Sequence, residues 1–320
     1  MTDPSPPEEV GDQVDVPSKT ASAVPATAPL SRHVYSGHAL TAEEGNMLSG
    51  AQRARLISLV GPTGSGKTTL ILSIYEAFRH ARFGGTMFAG SRTLLGFEER
   101  CHLSRAASEG HTPDTERTKS ENEEVLLHLR VQPEALEMDP INLLFCDLSG
   151  ELFDAAGETN EALLRIPFLQ SARHIAMFVD GERLIDAAMR HAVRQEFLTL
   201  LRAGIEVGRI GKSTNVQLVF SKQDLIRRAN NRHEVQVFQS AIRQTCIDQF
   251  ASRLRSLAFY EVALRPRPDE GLTTLYKAWI AENDKPVPGL FSPNQLAADR
   301  EIDRFAEREV KSGKFMVSAQ

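Results

Sequence analysis

Cysteine is scarce in this chain, and its three copies lie far apart at Cys101, Cys146 and Cys246. No pair has the spacing of a zinc site or of a disulfide framework, so the expected setting is a reducing cytoplasm with structural thiols. Long apolar runs are also missing. None approaches the roughly 20 residues that cross a bilayer, so no membrane span is expected. A basic surplus is missing too: the formal net charge is -5, which argues against a general nucleic-acid binder. The histidines show no metal-ligand spacing, and His174 reads as a structural residue opening a buried strand. The start is acidic and rich in proline (Pro4, Pro6, Pro7, Pro17, Pro25, Pro29). It fits neither a secretory signal nor a transit peptide. Residues 1–35 are expected to be a disordered leader that builds no core.

What is present is organised around Gly61-Pro62-Thr63-Gly64-Ser65-Gly66-Lys67-Thr68, followed by Thr69. The pattern G-x-x-x-x-G-K-T is a phosphate-binding loop. It needs a buried strand before it and a helix after it. Residues 56–60 supply the apolar run, and Leu70, Ile71, Ile74, Ala77 and Phe78 recur at helical spacing. Glycine lets successive backbone N–H groups turn inward toward phosphate oxygens, and the helix start adds its positive dipole end. In this reading Gly61, Thr63, Gly64, Ser65, Gly66, Lys67, Thr68 and Thr69 surround phosphate. Lys67 reaches the β- and γ-phosphates, and Thr68 offers its hydroxyl to Mg2+.

The remaining chain alternates strand and helix. Strands are expected at 125–131, 141–146, 174–179, 216–220 and 257–262, and helices at 183–202, 234–256 and 271–280. This predicts an α/β fold: a mostly parallel sheet with helices on both faces. Strands 125–131 and 141–146 are joined closely and predict an antiparallel edge. The domain is expected to span 36–283. Within it, 84–124 is a long insertion of the kind that forms a first switch, and Phe88, Leu94, Leu95 and Phe97 require part of it to pack. Residues 284–320 are expected to form a linker and a helix at 294–310.

Three later segments choose the nucleotide. Asp147-Leu148-Ser149-Gly150 ends an apolar strand as D-x-x-G. Asp147 can hold Mg2+, and the Gly150 N–H can sense a γ-phosphate. Ser221-Lys222-Gln223-Asp224 follows the penultimate strand and matches [N/T]-K-x-D, with serine for asparagine. The Asp224 carboxylate can accept from the N1–H and N2–H2 groups of guanine, a pair that adenine lacks, while the Lys222 stem covers the base. Ala263 and Leu264 stand where a third base-side loop would offer a backbone N–H to the guanine O6.

These pieces, over residues 55–282, resemble the Ras-like, translation-factor-related class of P-loop GTPases. The insertion narrows the match. Residues 88–100, Ser104-Arg105, residues 115–118 and Asp147-x-x-Gly-Glu151 look like the bacterial double-GTPase family. The resemblance implies a Ras-like G domain and protein partners, a second GTPase among them, in multi-gene conflict or defence-type systems.

The chemistry of hydrolysis requires a positioned water and charge neutralisation at the γ-phosphate. Glu151 is the first candidate for the water, together with Lys67 for the phosphate; Asp154 is second to Glu151. Thr118, and after it Thr115, are candidates for a second Mg2+ ligand. Arg92, Arg100, Arg105 and Arg117 are candidates for an arginine finger acting in cis. Asp180-Gly181 ends a strand on the nucleotide side. The reading is a Mg2+-dependent GTP/GDP-binding switch. Two alternatives stay open: an ATP-binding P-loop protein, since Ser221 and Ala263 depart from the guanine motifs, and a scaffold whose nucleotide is not hydrolysed.

Overall fold

The computed structural model describes residues 35–51, 54–106, 125–134, 139–147, 163–164, 167–265 and 270–281. The expected leader, up to residue 34, and the expected helix at 294–310 lie outside the described residues.

Strand β1 (Ala54–Val60) lies inside a seven-stranded sheet and is parallel to both neighbours, β4 (Ile141–Asp147) and β5 (His174–Val179). Strands β6 (Asn215–Phe220) and β7 (Ser256–Glu261) continue the parallel side. On the other side β3 (Val125–Pro133) runs antiparallel to β4, as the short link between them requires. The sheet then extends by one further strand, β2 (Thr86–Gly90), antiparallel to β3, with an irregularity in the pairing between Phe88 and Gly90. Among the described residues the order is β2-β3-β4-β1-β5-β6-β7.

The apolar runs serve two faces, because successive side chains in a strand point opposite ways. Ile57, Leu59, Leu143, Phe145, Ala176 and Phe178 belong to one core cluster. Leu56, Val60, Leu144, Cys146, Ile175, Met177 and Val179 belong to the other. Burial on both faces is why these strands read as continuous hydrophobic runs.

Helices cover both cores. On the first lie α2 (Lys67–His80), α3 (Leu94–Ala106) and α9 (Glu270–Ile280). On the second lie α1 (Ala42–Ala51), α4 (Pro167–Ser171), α5 (Gly181–Ile185), α6 (Arg190–Glu206), α7 (Gln223–Arg228) and α8 (Arg232–Phe250). Helix α1 begins with a reciprocal cap: Thr41 N donates to Glu44 Oε2 at 2.9 Å, and Glu44 N donates to Thr41 Oγ1 at 3.3 Å.

Two expectations about elements change. The single helix expected at 183–202 is two helices, because Asp186 adopts an extended backbone and its Oδ1 accepts from Ala188 N at 2.9 Å. That local bond replaces the helical ladder. The insertion is not a plain loop over its described part: it contains β2 and the 13-residue α3. Phe97 and Cys101, one turn apart, are buried, and Phe97 stacks on Tyr75 of α2 at 4.6 Å.

Candidate functional site

The strand register brings the motif-bearing ends together. Leu59 is paired with Asp147, Val179 with Phe220, and Phe220 with Glu261. The segments leaving β1, β4, β5, β6 and β7 therefore emerge at one end of the sheet. The chain moves to one side of β1 after the P-loop and returns to the other side at β5, which makes the β1/β5 boundary the crevice where α/β folds bind ligands.

The P-loop fills that crevice closely. Gly61 sits at φ +156°, and a Cβ there would lie 2.8 Å from Phe178 Cβ on β5, so a side chain has no room. Ser65 is buried, and its hydroxyl donates to Pro62 O at 2.8 Å, which folds the loop onto itself. Gly66 caps α2 at φ +99°. Lys67 is buried, and its ammonium donates to Gly61 O at 2.7 Å and Pro62 O at 3.0 Å. The loop's own carbonyls thus hold the ammonium against the loop.

Thr68 and Asp147 meet beside the loop. The Thr68 hydroxyl donates to Asp147 Oδ2 at 2.5 Å. Asp147 is buried at the end of β4, and burial raises its pKa; the Lys67 charge, the Thr68 hydrogen bond and Arg100 oppose that rise. A hydroxyl and a carboxylate held together are hard oxygen donors of the kind Mg2+ takes in phosphate sites, so the residues fit the metal that the motif implies. Among the described residues no group of three or more His, Cys, Asp or Glu side chains forms an independent metal site.

The base-side segment is built from β6 and β7. Ser221 is buried, and its backbone N–H donates to Val179 O at 3.1 Å. Lys222 follows in the left-handed region, at φ 53° and ψ 39°, and is the one non-glycine residue with positive φ among those described. Such a conformation costs on the order of 1 kcal/mol. Its ammonium is held by Asp180 Oδ2 at 3.1 Å and Glu182 Oε2 at 2.7 Å. Burial lowers the Lys222 pKa, but the two carboxylates outweigh it and the net shift is upward. Gln223 is buried, with Nε2 donating to Phe220 O at 3.2 Å and its backbone N–H to Val262 O at 3.3 Å. That second bond ties this segment to Ala263 and Leu264. Leu264 in turn reaches the P-loop, its Cδ1 3.8 Å from where a Cβ on Gly66 would stand. Asp224 occupies the first turn of α7, half-buried, and its carboxylate has no hydrogen bond or ion pair among the described residues.

The structure therefore gathers the P-loop, Asp147, Lys222, Asp224, Ala263 and Leu264 at one end of the sheet. Gly150, Glu151, Asp154, Thr115, Thr118 and Arg117 lie outside the described residues, as does the side chain of Arg105. Arg92 stacks over the Tyr35 ring at 5.2 Å. Arg100 donates to Gly96 O at 3.0 Å on α3, and its charge acts on Asp147. Glu182 and Gln223 were not singled out from the sequence. Asp180-Gly181 at a strand end was the readable signal for the first of them.

A phosphate loop in the β1/β5 crevice, an oxygen pair beside it and a lysine-aspartate segment after β6 define a P-loop nucleotide-binding protein with the sheet plan of a Ras-like G domain. The family model for Double-GTPase 2 matches residues 55–280, and the chain belongs to that family. It is thereby a GTP-binding P-loop protein. Among solved structures it is similar to a chain of the signal recognition particle receptor SRb-GTP/SRX complex from Chaetomium thermophilum. The identity is 14%, the TM-score 0.42, and the match covers 71% of this chain and 97% of that one. No curated protein matches. Among the described residues no helix is long and apolar enough to cross a membrane.

Proposed function

We propose that the protein is a slow, Mg2+-dependent GTPase that works as a cytoplasmic molecular switch beside protein partners, a second GTPase among them, in a bacterial conflict or defence-type system. The observation that carries the enzymatic part is the Thr68–Asp147 contact of 2.5 Å next to the P-loop. It pairs two hard oxygen donors of the kind that Mg2+ takes in phosphate sites.

The roles divide among the chain's own residues. Gly61, Thr63, Gly64, Ser65, Gly66 and Thr69 line the phosphates with backbone and hydroxyl donors. Lys67 exchanges the carbonyls of Gly61 and Pro62 for phosphate oxygens. Thr68 and Asp147, with Thr118, would hold Mg2+, which would supply charge neutralisation at the phosphate oxygens. Glu151 orients the attacking water, and the Gly150 N–H reports the γ-phosphate. Asp224 accepts from the guanine N1–H and N2–H2, the Lys222 stem covers the base, and the backbone at Ala263 and Leu264 meets O6. The domain comprises 36–283, the insertion 84–124 supplies the first switch, and 284–320 is a linker and helix.

Asp224 tests the base reading directly, because its half-buried carboxylate has no partner to lose among the described residues. Asp224→Asn turns an acceptor into a donor and should move preference from guanine to xanthine nucleotides, weakening GDP binding by about two orders of magnitude. Competition of labelled GDP against xanthosine, guanosine and adenosine diphosphates measures this. Preference for ADP in the wild-type protein would support the ATP reading instead. Absence of phosphate release with Mg2+, alone and with partners, would leave the nucleotide as a structural ligand.

A further inference from the structure

Asp180 and Glu182 have no part in the roles above, yet they hold the side chain of Lys222, the residue of the base-side segment with a left-handed backbone. Asp180 is almost fully buried at the end of β5. Its Oδ1 accepts from Glu182 N at 3.0 Å and so caps α5, while its Oδ2 takes the Lys222 ammonium at 3.1 Å. Glu182 Oε2 closes on the same ammonium at 2.7 Å from the solvent side. Between the two acids, Gly181 lies close against the segment that follows β6: a Cβ there would come within 2.2 Å of Ser221 O. The start of α5 and the start of the Lys222 segment are thus one packed unit.

Lys222 is also the N-cap of α7, and Leu225 N and Ile226 N bond back to its carbonyl at 3.0 and 3.3 Å. Whatever fixes Lys222 fixes the first turn of α7, where Asp224 sits. The lysine side chain is three-quarters buried, with its ammonium clamped to one side by the two carboxylates. We propose that Asp180 and Glu182 form an acidic bracket that positions Lys222 and, through it, Asp224, making Asp180 a specificity-determining residue for guanine. The inference rests on the reading of Asp224 as the base reader.

The test is a double-mutant cycle on the release rate of a fluorescent N-methylanthraniloyl GDP from the full chain. Asp180→Asn keeps an oxygen for the α5 cap and removes the negative charge that faces the Lys222 ammonium. It is expected to speed release about tenfold, as loss of a charge-assisted bond should. Glu182→Gln, which is mostly exposed, is expected to speed it only about twofold. In a Lys222→Met background Asp180→Asn should add nothing, because its effect passes through the ammonium. Equal acceleration in both backgrounds would mean that Asp180 acts by a route other than the Lys222 ammonium and would overturn the proposal. Competition by ADP, read in parallel, should show the guanine-over-adenine preference of Asp180→Asn falling; an unchanged preference overturns it as well. Asp224→Asn is run beside these. If it releases the probe at the wild-type rate, the base reading itself fails and takes the bracket with it.

Discussion

His128 shows how a single buried residue ties chemistry to stability. It sits on β3 at 2% exposure. Its Nδ1 accepts from the Arg92 backbone N–H at 3.0 Å, so the proton is on Nε2, which faces Asn142 Oδ1 at 3.2 Å. Burial pushes the imidazole pKa down to about 4; the Arg92 and Arg130 charges add to that, and the Asn142 contact opposes it. In the unfolded chain the value returns to about 6.5. Between those values the unfolded state binds more protons than the folded one. Stability is therefore complete above the unfolded value and falls as pH drops toward 4. From pH 7 to pH 5 the loss from this residue is roughly 2 kcal/mol. Urea unfolding at the two pH values measures it, and His128→Gln should remove that part of the pH dependence. At this scale the sequence was informative where a motif names its partner. Thr68 and Asp147 were both expected at Mg2+, and they touch. It was silent on the bond from Lys222 to Glu182, because that contact joins the starts of two helices 40 residues apart and leaves no spacing signature.

At the scale of elements, the described part of the insertion packs against β3 and α2 rather than running as a free loop. The turn from β2 into α3 is clipped to β3: Ser91 Oγ donates to His128 O at 2.7 Å, and His128 N donates to Thr93 Oγ1 at 2.9 Å. Further along, α3 is latched to the P-loop helix. Tyr75 of α2 donates its hydroxyl to Glu98 Oε1 at 2.5 Å, and Arg79 approaches the same oxygen at 3.6 Å. Tyr75→Phe keeps the stacking on Phe97 and removes only that hydrogen bond, worth about 1 kcal/mol. Amide hydrogen exchange should then rise about fivefold across α3 while β3 stays protected. No change in α3 would place its anchoring in the apolar contacts of Phe97 and Cys101 instead. Helix α3 was hard to read because, among its described side chains, Leu94 and Leu95 are exposed while Phe97 and Cys101 carry the packing. Strand β2 was hidden for a related reason. It lies at the sheet margin with Phe88 and Ala89 exposed, so it lacks the apolar run that marked the interior strands.

For the whole molecule, the legible part is the part buried on two faces. Strands β1, β4, β5 and β6 announce themselves because both faces need apolar side chains, and α2 and α9 because each must cover one face. Helix α9 makes the argument concrete. Trp279 is fully buried, packs edge-on to Phe145 of β4 at 5.9 Å, and belongs to the core that α2 shares. Arg55 of β1 donates to the backbone carbonyls of Trp279 and Ala281 at 2.8 and 3.0 Å, fixing the end of the helix against the sheet. The indole Nε1, however, has no acceptor among the described residues. Two substitutions separate volume from polarity. Trp279→Ala leaves a large cavity and should cost roughly 3–5 kcal/mol, a large share of the 5 to about 15 kcal/mol that holds a typical domain together. Trp279→Phe keeps most of the ring and removes an unpaired buried donor, so its cost should stay below about 2 kcal/mol. Trp279 is the one tryptophan in the chain, so unfolding must be followed by circular dichroism rather than by indole fluorescence. If the two variants proved equally stable, α9 would not belong to the cooperative unit formed by α2 and the central strands. The two-faced core would then close without it.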